Sequence, residues 1–286
     1  MTPPSSITVI TRRTPGEDTA EGLRRLAELA AEAGVTLRIP PDEVEKHGLG
    51  ELSGAELGAD PDGPTDLAIA LGGDGTILAA MRQYAGRGVP VFAINFGAIG
   101  FLATVERDDL DAGIRRALDG EFDVLPLPAL ELKTSSGSWL AVNDVSFHRR
   151  ADLRVAELGY SVLHEQVGEV RCDGLVISTP AGSTGYNLAN GGPVMAWGVE
   201  GFVVSFIAPH TLSARALVVA PDDELQVTNN SRADPVDVTT DGRTVCSLDP
   251  REQVAVRFKP DTALLAQVAG ATFYHRLRDK FGSLTT

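Results

Sequence analysis

Residues 67–80 read LAIALGGDGTILAA, which is an apolar run, a Gly-Gly-Asp-Gly-Thr turn and a second apolar run. The run from Leu67 to Leu71 is typical of a strand buried on both faces of a parallel sheet, and the residues after Thr76 favour a helix that packs back on that sheet. The glycines therefore form a strand-to-helix turn, where free amides attract anions and a ligand can approach the main chain closely. Because a carboxylate there repels phosphate, Asp74 needs a task that involves a metal ion or a proton transfer.

The residues around this turn alternate between strand and helix patterns. Strands are predicted over 6–10, 35–39 and 89–95, and helices over 14–34, from 76 to about 86 and over 107–120. Residues 40–65 are rich in proline, glycine and acid and are predicted to be irregular, with one short helix. This alternation predicts a doubly wound parallel α/β domain with helices on both faces of the sheet.

The pattern changes near residue 122. Short strand-like segments joined by polar turns then continue to about residue 265, which predicts a mostly β, sandwich-like second domain. The amphipathic segment TFYHRLRDKFGS, residues 272–283, predicts a terminal helix that packs back on the first domain. The predicted boundaries are 1–121, 122–265 and 266–286.

Composition limits the classes of function. The chain has 39 acidic and 25 basic side chains, and its formal charge of -14 works against binding to nucleic acid or anionic membranes. No apolar run reaches the roughly 20 residues of a spanning helix and no signal-peptide pattern is present, so a cytoplasmic location is expected. Cys172 and Cys246 lie far apart without CxxC spacing, which predicts neither a zinc site nor a disulfide.

Four further segments have an unusual residue content, with clustered glycines, polar residues or charged residues. They are NFGAIGFL (95–102), VNDV (142–145), RCDGLVISTPAGSTGYNLANGGPV (171–194) and APHTLSARALV (208–218). The first of them follows the strand predicted over 89–95. Ligands of open α/β sheets bind at the carboxyl ends of the strands, so this loop and the glycine turn are expected to lie at a ligand site.

In this order, the five segments resemble the NAD kinase family over roughly residues 67–245. The family pattern is a GGDGT turn, an NxGxxGFL loop, an Asn-acid pair, a long DG…STPTGSTAY…GGP segment and a PHxL…RP segment. The resemblance implies transfer of the γ-phosphoryl group of ATP, or of inorganic polyphosphate, to the 2′-hydroxyl of the adenosine ribose of NAD, which gives NADP. It also implies a divalent metal cation, with Mg²⁺ expected, and a homodimer or homotetramer.

The resemblance and the residue chemistry together suggest individual roles. Asp74 is the predicted catalytic residue, because a carboxylate within hydrogen-bond reach can orient a sugar hydroxyl and accept its proton. The phosphates are assigned to Gly72, Gly73, Gly75 and Thr76. NAD is assigned to Asp74, Gly75, Phe101, Asn143, Asp144, Arg154, Arg171, Asp173, Thr184, Gly185, Tyr186, Asn187, Leu188, Ala189 and Arg243. Within this set Phe101 is expected to pack against adenine, Asn143 and Asp144 to bind ribose hydroxyls or the adenine edge, and the arginines to hold phosphates.

The sequence departs from the family pattern in the STPTGSTAY segment, in the Asn-acid pair and in the last segment. A threonine of the pattern is Ala181 here, an alanine is Gly185, and a glutamate is Asp144, while the Arg-Pro of the last segment is Arg-Ala.

Three alternatives remain at this point. Asp74 can be a helix cap with no catalytic role. Lipid and sugar kinases share the turn, although NFGAIGFL and STPAGSTGYNLANGGP suit a dinucleotide and are not expected in those enzymes. A non-catalytic dinucleotide-binding protein can share the fold, although loss of Asp74 would be expected in it.

Overall fold

The structure is a computed structural model that describes residues 1–14, 16–97, 100–134, 137–150, 154–268 and 272–282. Ala98 and Ile99 of the predicted glycine loop, and residues 269–271 and 283–286 of the predicted terminal segment, lie outside the described residues. The chain forms two compact units, one of residues 1–126 and 263–286 and the other of residues 127–262. The domain boundaries inferred from the sequence stay predictions.

The first unit contains the predicted parallel sheet. Its strands are β1 (Ser6–Thr11), β2 (Thr36–Ile39), β3 (Ala55–Leu57), β4 (Leu67–Gly72), β5 (Pro90–Asn95) and β6 (Val105–Glu106). They pair in the order β3-β2-β1-β4-β5, all parallel, and β6 pairs with the carboxyl end of β5. Every residue of β4 and β5 is buried, as expected for apolar strands covered on both faces.

Helices cover both faces of this sheet. The α-helices of the described residues are α1 (Glu17–Ala33), α2 (Pro41–His47), α3 (Asp74–Tyr84), α4 (Leu110–Asp119), α5 (Tyr186–Ala189) and α6 (Phe273–Phe281). Helix α5 lies in the second unit and the others lie in the first. Buried residues of α1 and α4 share one core with alternate residues of β1, β4 and β5. Helix α3 packs on β4 and β5 but contributes nothing to that core, so it lies on the opposite face.

The segment predicted to be irregular contains α2, the expected short helix, and also β3, which the sequence did not predict. Helix α2 is fixed by Glu43, whose carboxylate is 1% exposed and accepts hydrogen bonds from the Thr11 amide (2.8 Å) and hydroxyl (2.6 Å). Lys46 pairs with the same carboxylate at 2.6 Å. These contacts tie the helix to the carboxyl end of β1.

The second unit is built from antiparallel strands in two layers. The remaining strands of the chain are β7 (Asp123–Thr134), β8 (Gly137–Ala141), β9 (Asp144–Arg149), β10 (Ala156–Val162), β11 (Glu165–Cys172), β12 (Gly174–Ser178), β13 (Phe202–Ile207), β14 (Leu217–Val219), β15 (Leu225–Asn229), β16 (Val236–Thr240), β17 (Arg243–Leu248) and β18 (Gln253–Gln267). One layer is β14-β13-β12-β9-β16-β17, and the other contains β11-β10-β15-β18. Apolar residues of both layers form one core. The predicted sandwich-like domain is thus confirmed.

Strand β9 shows how the six-stranded layer presents two different faces. Val145 and Phe147 belong to the core, and their neighbours Asp144, Ser146 and His148 point to the other face because side chains alternate along a strand. The second face is therefore polar along β9. In the described ranges, no helix is both long enough and apolar enough to cross a membrane.

Candidate active site

The glycine turn lies at the carboxyl edge of the parallel sheet. Gly72 ends β4 directly opposite Asn95, the last residue of β5, and α3 begins at Asp74. A Cβ atom on Gly97 would lie 3.2 Å from the Cα atom of Gly73, so the turn and the loop after β5 approach each other at backbone distance. Glycine is required here because a side chain would separate the two loops.

Asp74 binds the second loop instead of capping its own helix. Its two carboxylate oxygens accept hydrogen bonds from the amides of Phe101 (2.9 Å) and Leu102 (3.1 Å). The N-cap residue of α3 is Gly73, which makes no side-chain capping bond. A Cβ atom on Gly100 would lie 2.0 Å from one of these oxygens, so a side chain at that position would displace the Asp74 carboxylate from its two amide donors. Each carboxylate oxygen can accept a further hydrogen bond, which leaves acceptor capacity for a substrate hydroxyl.

Phe101 is buried within the first unit. Its ring lies against those of Phe273 and Phe281 of α6, with centroids 6.4 and 5.8 Å away, and the Lys280 ammonium lies 4.7 Å from its centroid. Only 4% of the residue is exposed. The ring is therefore not available to an adenine base in this structure, which corrects the role expected for it from the sequence.

Two arginines at this edge were not identified from the sequence. Arg12 directly follows β1, donates to the Phe96 carbonyl at 3.4 Å and pairs with Asp18 at 2.5 Å. Arg107 pairs with the other oxygen of Asp18 at 3.3 Å and lies 5.8 Å from the centre of the Phe96 ring. Arg107 also lines a cavity of about 400 Å³ with residues of the loop after β5. These are local cations of the kind that an acidic protein needs to bind phosphates.

In the second unit, a turn aspartate organises the predicted Asn-acid pair. The Asp241 carboxylate accepts hydrogen bonds from the amides of Val142 (3.0 Å), Asn143 (2.7 Å) and Asp144 (3.2 Å). The Asp241 amide in turn donates to the Asp144 carbonyl at 2.9 Å. The backbone at the start of β9 is therefore fixed, and Asp241 is a further residue that the sequence analysis missed.

The two side chains of this pair differ in burial: Asn143 is half-buried and Asp144 is buried. The Asn143 Oδ1 atom is buried, and the described residues supply it with no hydrogen bond. Asp144 is only 8% exposed. Burial, together with the charge of Asp241, raises the pKa of the Asp144 carboxyl to about 7. Unsatisfied polar atoms of this kind are costly unless a ligand or water bonds to them, so they mark a binding position.

The loop after β12 packs against the same pair. The Thr179 amide donates to the Asn143 carbonyl at 2.9 Å, and the Thr179 hydroxyl donates to the Val142 carbonyl at 2.7 Å. A Cβ atom on Gly182 would lie 2.2 Å from the Asn143 carbonyl oxygen, so the short 3₁₀ turn Gly182–Thr184 sits directly on that backbone. The predicted residues of VNDV and STPAGSTGY are thus brought together.

The residues predicted from this loop differ in exposure. Thr184 and Leu188 are half-buried, and Gly185, Tyr186 and Ala189 are exposed. Asn187 is fully buried, and its amide nitrogen donates to the carbonyls of Ser183 and Pro193 at 3.0 Å each. The amide nitrogen of Asn187 is therefore part of the loop's own framework, whereas its Oδ1 atom is buried and receives no hydrogen bond from the described residues. The place of Asn187 among the residues that line the NAD pocket stays a prediction.

Tyr186 is supported by a residue that the sequence analysis did not select. Its ring stacks on that of His148, with centroids 5.7 Å apart and an interplanar angle of 17°. The Nε2 atom of His148 lies 2.9 Å from the Ser146 hydroxyl, which lies 2.6 Å from the Thr239 hydroxyl. Burial lowers the pKa of His148, against an opposing effect of Asp237, so the ring is neutral at neutral pH. The alternation of β9 was the available signal, since it places His148 on the same face as Asp144.

The predicted charged residues of this unit are spread over several strands. Asp173 pairs with Arg149 at 2.5 Å, so its carboxylate already has a partner. Arg171 on β11 is exposed and lies 3.3 Å from Glu157. Arg243 begins β17 at the edge of the other layer, and Arg154 precedes β10; both are exposed. Arg171 lies opposite Glu157 in the β10–β11 pair, and Glu157 is three residues along the chain from Arg154.

Comparisons with known proteins agree with this arrangement. The model of the ATP-NAD kinase N-terminal domain matches residues 56–122, and that of the C-terminal domain matches residues 142–268. An NAD kinase of Gemmatimonas aurantiaca is 37% identical over 227 residues, which cover 77% of this chain and 78% of the relative. The chain belongs to the NAD kinase family. An NAD kinase of Symbiobacterium thermophilum is 36% identical over 240 residues, or 81% of this chain and 84% of the relative.

Solved structures of NAD kinases share the fold. Yeast NADH kinase complexed with NADH superposes with a TM-score of 0.87 at 21% identity, over 100% of this chain and 89% of that one. An NAD kinase from Archaeoglobus fulgidus in complex with ATP gives a TM-score of 0.73 at 23% identity, over 98% of each chain. The predicted α/β domain, β-rich domain and terminal helix are the architecture of NAD kinases.

Two of the departures from the NAD kinase pattern, Ala181 and Gly185, lie in the loop after β12. Ala181 is 4% exposed, and its carbonyl accepts the Thr184 hydroxyl at 3.4 Å. A methyl group suits this buried position, since it leaves no polar atom to satisfy. Gly185, by contrast, is exposed directly before Tyr186.

Proposed function

We propose that this protein is an NAD kinase that transfers the γ-phosphoryl group of ATP, or of polyphosphate, to the 2′-hydroxyl of the adenosine ribose of NAD. The observation that carries the proposal is the setting of Asp74. This carboxylate lies at the start of α3, at the carboxyl edge of the parallel sheet, and is held by two backbone amides beside glycines that leave room for phosphate. Ligands of open α/β sheets bind at this edge.

Asp74 is the proposed general base. A ribose hydroxyl that donates to its carboxylate becomes oriented and gives up its proton as the phosphoryl group arrives. The two amide donors fix the position of the carboxylate, and precise placement of reacting groups supplies a large part of the rate in phosphoryl transfer. Gly72, Gly73, Gly75 and Thr76 form the proposed phosphate turn, and Arg12 and Arg107 add cations at the same edge.

NAD recognition is assigned to the second unit. Asn143 offers its unsatisfied Oδ1 atom, and Asp144 its buried carboxyl group, to hydroxyl or amino groups of the dinucleotide. Tyr186 offers an exposed ring face supported by His148. Arg154, Arg171, Arg243 and Asp173 remain proposed contacts of the phosphates and of the far half of NAD. The proposed pocket also includes four residues of the loop after β12, which are Thr184, Gly185, Leu188 and Ala189.

A divalent cation, Mg²⁺, is proposed to accompany the phosphoryl donor. Within the described parts of the chain, no three His, Cys, Asp or Glu side chains are grouped so that they could hold a metal ion by themselves. Mg²⁺ does not need such a group, because it is commonly held by one or two carboxylates plus substrate phosphates and water. When bound, the cation would offset the negative charge of the donor phosphates.

The assembly is proposed to be a homodimer or homotetramer, on the strength of family membership. Light scattering coupled to size-exclusion chromatography measures the mass directly. A mass of two or four chains of 30.2 kDa is expected.

The function is tested with purified protein, NAD, Mg²⁺ and either ATP or polyphosphate. NADP, identified by chromatography and by its use in an NADP-specific dehydrogenase, is expected with at least one donor. Parallel reactions replace NAD by a sugar or a diacylglycerol. Phosphorylation of either of those acceptors without NADP formation would contradict the proposal and favour the related kinases that share the turn.

A further inference from the structure

Helix α6 contacts the same short segment that holds Asp74. Arg276 of α6 is 9% exposed, and one nitrogen of its guanidinium group donates to the carbonyls of Phe101, at 2.8 Å, and Ala103. The amides of Phe101 and Leu102 donate to Asp74. Both sets of hydrogen bonds therefore act on residues 101–103, all within the first unit.

One peptide group joins the two charged side chains. The carbonyl of Phe101 and the amide of Leu102 belong to the same planar unit, with Arg276 bonded to its oxygen and Asp74 bonded to its nitrogen. A donor on the carbonyl polarises the peptide and strengthens the hydrogen bond made by its amide. The guanidinium group thus fixes and strengthens a donor of the proposed base.

Packing around Phe101 fixes the same segment from its side chain. The rings of Phe273 and Phe281 and the ammonium group of Lys280 surround the Phe101 ring. Burial lowers the pKa of Arg276, and the charges of Asp74 and Glu106 act in the opposite direction. A buried cation is stable when it is hydrogen-bonded and faces carboxylates, and both conditions hold for Arg276.

We propose that Arg276 is a positioning residue for Asp74, which it places for proton transfer through the backbone of residues 101–103. The proposal rests on the proposed function, in which Asp74 accepts the proton of the ribose hydroxyl. It assigns the terminal helix a part in catalysis through Arg276, which acts on Asp74 only through the backbone of residues 101–103. The competing role for Arg276 is to dock α6 and nothing more.

Two variants separate these roles. Arg276→Met keeps much of the length and apolar stem of the side chain but removes every donor to residues 101–103. Thr272→Ala is the matched control, because the Thr272 hydroxyl caps α6 by accepting the His275 amide at 3.2 Å and the described contacts of Thr272 do not include residues 101–103. Loss of an N-cap weakens a helix by an amount comparable to the loss of a buried contact. Arg276→Lys is a third variant, which retains a donor if the Met variant fails to fold.

The first readout is steady-state kinetics of NADP formation in the full-length chain. Arg276→Met is expected to lower kcat about 10- to 100-fold, since small displacements of a catalytic group have effects of this size. Its KM for NAD should change less than about threefold, because most of the proposed NAD contacts lie in the second unit, whereas Arg276 belongs to the first. Arg276→Lys should lie between Arg276→Met and the wild type, and Thr272→Ala should keep the kcat of the wild type.

The second readout is hydrogen exchange of the Phe101 and Leu102 amides, which does not depend on activity. Exchange should accelerate in Arg276→Met and remain unchanged in Thr272→Ala. If wild-type protein forms no NADP with either donor, the proposed function fails, and the exchange data still show whether Arg276 orders these amides. If the wild type is active but Arg276→Met keeps kcat within about twofold, or Thr272→Ala loses as much, Arg276 only docks the helix and the inference is overturned.

Discussion

The ring of Tyr186 is stacked on the ring of His148, whose Nε2 atom bonds to the Ser146 hydroxyl, and that hydroxyl bonds in turn to the hydroxyl of Thr239. Tyr186 begins a helix of only four residues and follows a glycine, so its own backbone restrains it weakly. The orientation of the exposed tyrosine ring therefore depends on a buried polar face of the β-layer.

Removal of this support should weaken NAD binding. His148→Ala is expected to raise the KM for NAD about 3- to 10-fold, the size of an aromatic pair, with little change in kcat. His148→Phe restores the stack without the hydrogen bond to Ser146 and should stay close to the wild type. Equal KM values for all three proteins would show that His148 does not support Tyr186.

Asn143 is expected to bind NAD through its unsatisfied Oδ1 atom. Asn143→Ala should raise the KM for NAD by about 5- to 150-fold, which corresponds to the loss of roughly 1–3 kcal/mol for one buried hydrogen bond. Asn230→Ala is the control, because that amide bonds to Glu169 at 2.6 Å on the other layer. Isothermal titration with NAD measures both variants, and an unchanged affinity in folded Asn143→Ala would remove this residue from the site.

Asp144 predicts a pH dependence of stability with a definite sign. The pKa of its carboxyl group rises from 3.8 in the unfolded chain to about 7 in the folded one. Between about pH 4 and 7 the folded state therefore keeps a proton that the unfolded state has released, and the free energy of unfolding falls as the pH rises through this range. Asp144→Asn removes this penalty. In urea unfolding, the free energy of unfolding of the variant relative to the wild type should be higher at pH 8 than at pH 5 by about a few kcal/mol, as the pKa shift implies. The same difference at both pH values would contradict the assignment.

Asn187 should affect folding more than substrate binding. Asn187→Ala leaves the carbonyls of Ser183 and Pro193 without their donor, and it should lower the free energy of unfolding by about 2 kcal/mol. The matched variant Asn190→Ala removes a single bond, made to the Tyr186 carbonyl at the edge of the loop. Its loss should be smaller, about 1 kcal/mol. An Asn187→Ala variant with normal stability and weak NAD affinity would contradict this prediction and would support a direct contact between Asn187 and NAD.

The parts of the fold that could be predicted are those with local signals. The apolar run of β4, the glycines after it and the glycine stops of α1 and α4 all act within a few residues, and the structure has each of them. Strand β3 has only three residues and is defined by its pairing with β2, so no local pattern reveals it.

The parts of the site that could not be predicted depend on long-range contacts. The amide partners of Asp74 lie 27 and 28 residues away, so the sequence alone favoured a helix cap as the structural alternative. Phe101 is an aromatic residue in a glycine loop by sequence, and only the return of α6, more than 170 residues later, explains its burial. His148 was missed because its partner, Tyr186, lies in another element.

Asp74 itself links the geometry of the first unit to the proposed chemistry. Asp74→Asn keeps the size of the side chain but replaces one acceptor oxygen by a donor, so one of the two amides from Phe101 and Leu102 loses its partner. A loss of about 1–3 kcal/mol in stability is therefore expected, in contrast to the near-neutral change that a helix cap would give. Most folded domains tolerate such a loss, so the variant can be assayed as folded protein.

The turnover number of Asp74→Asn, measured as NADP formed per folded enzyme at saturating NAD and donor, is the most direct measurement. If Asp74 is the base that accepts the ribose proton, kcat should fall by roughly 10²- to 10⁴-fold, while the affinity for NAD, measured by titration, changes little. A folded variant that keeps more than about a tenth of the wild-type kcat would contradict the account, because loss of a general base costs more than that.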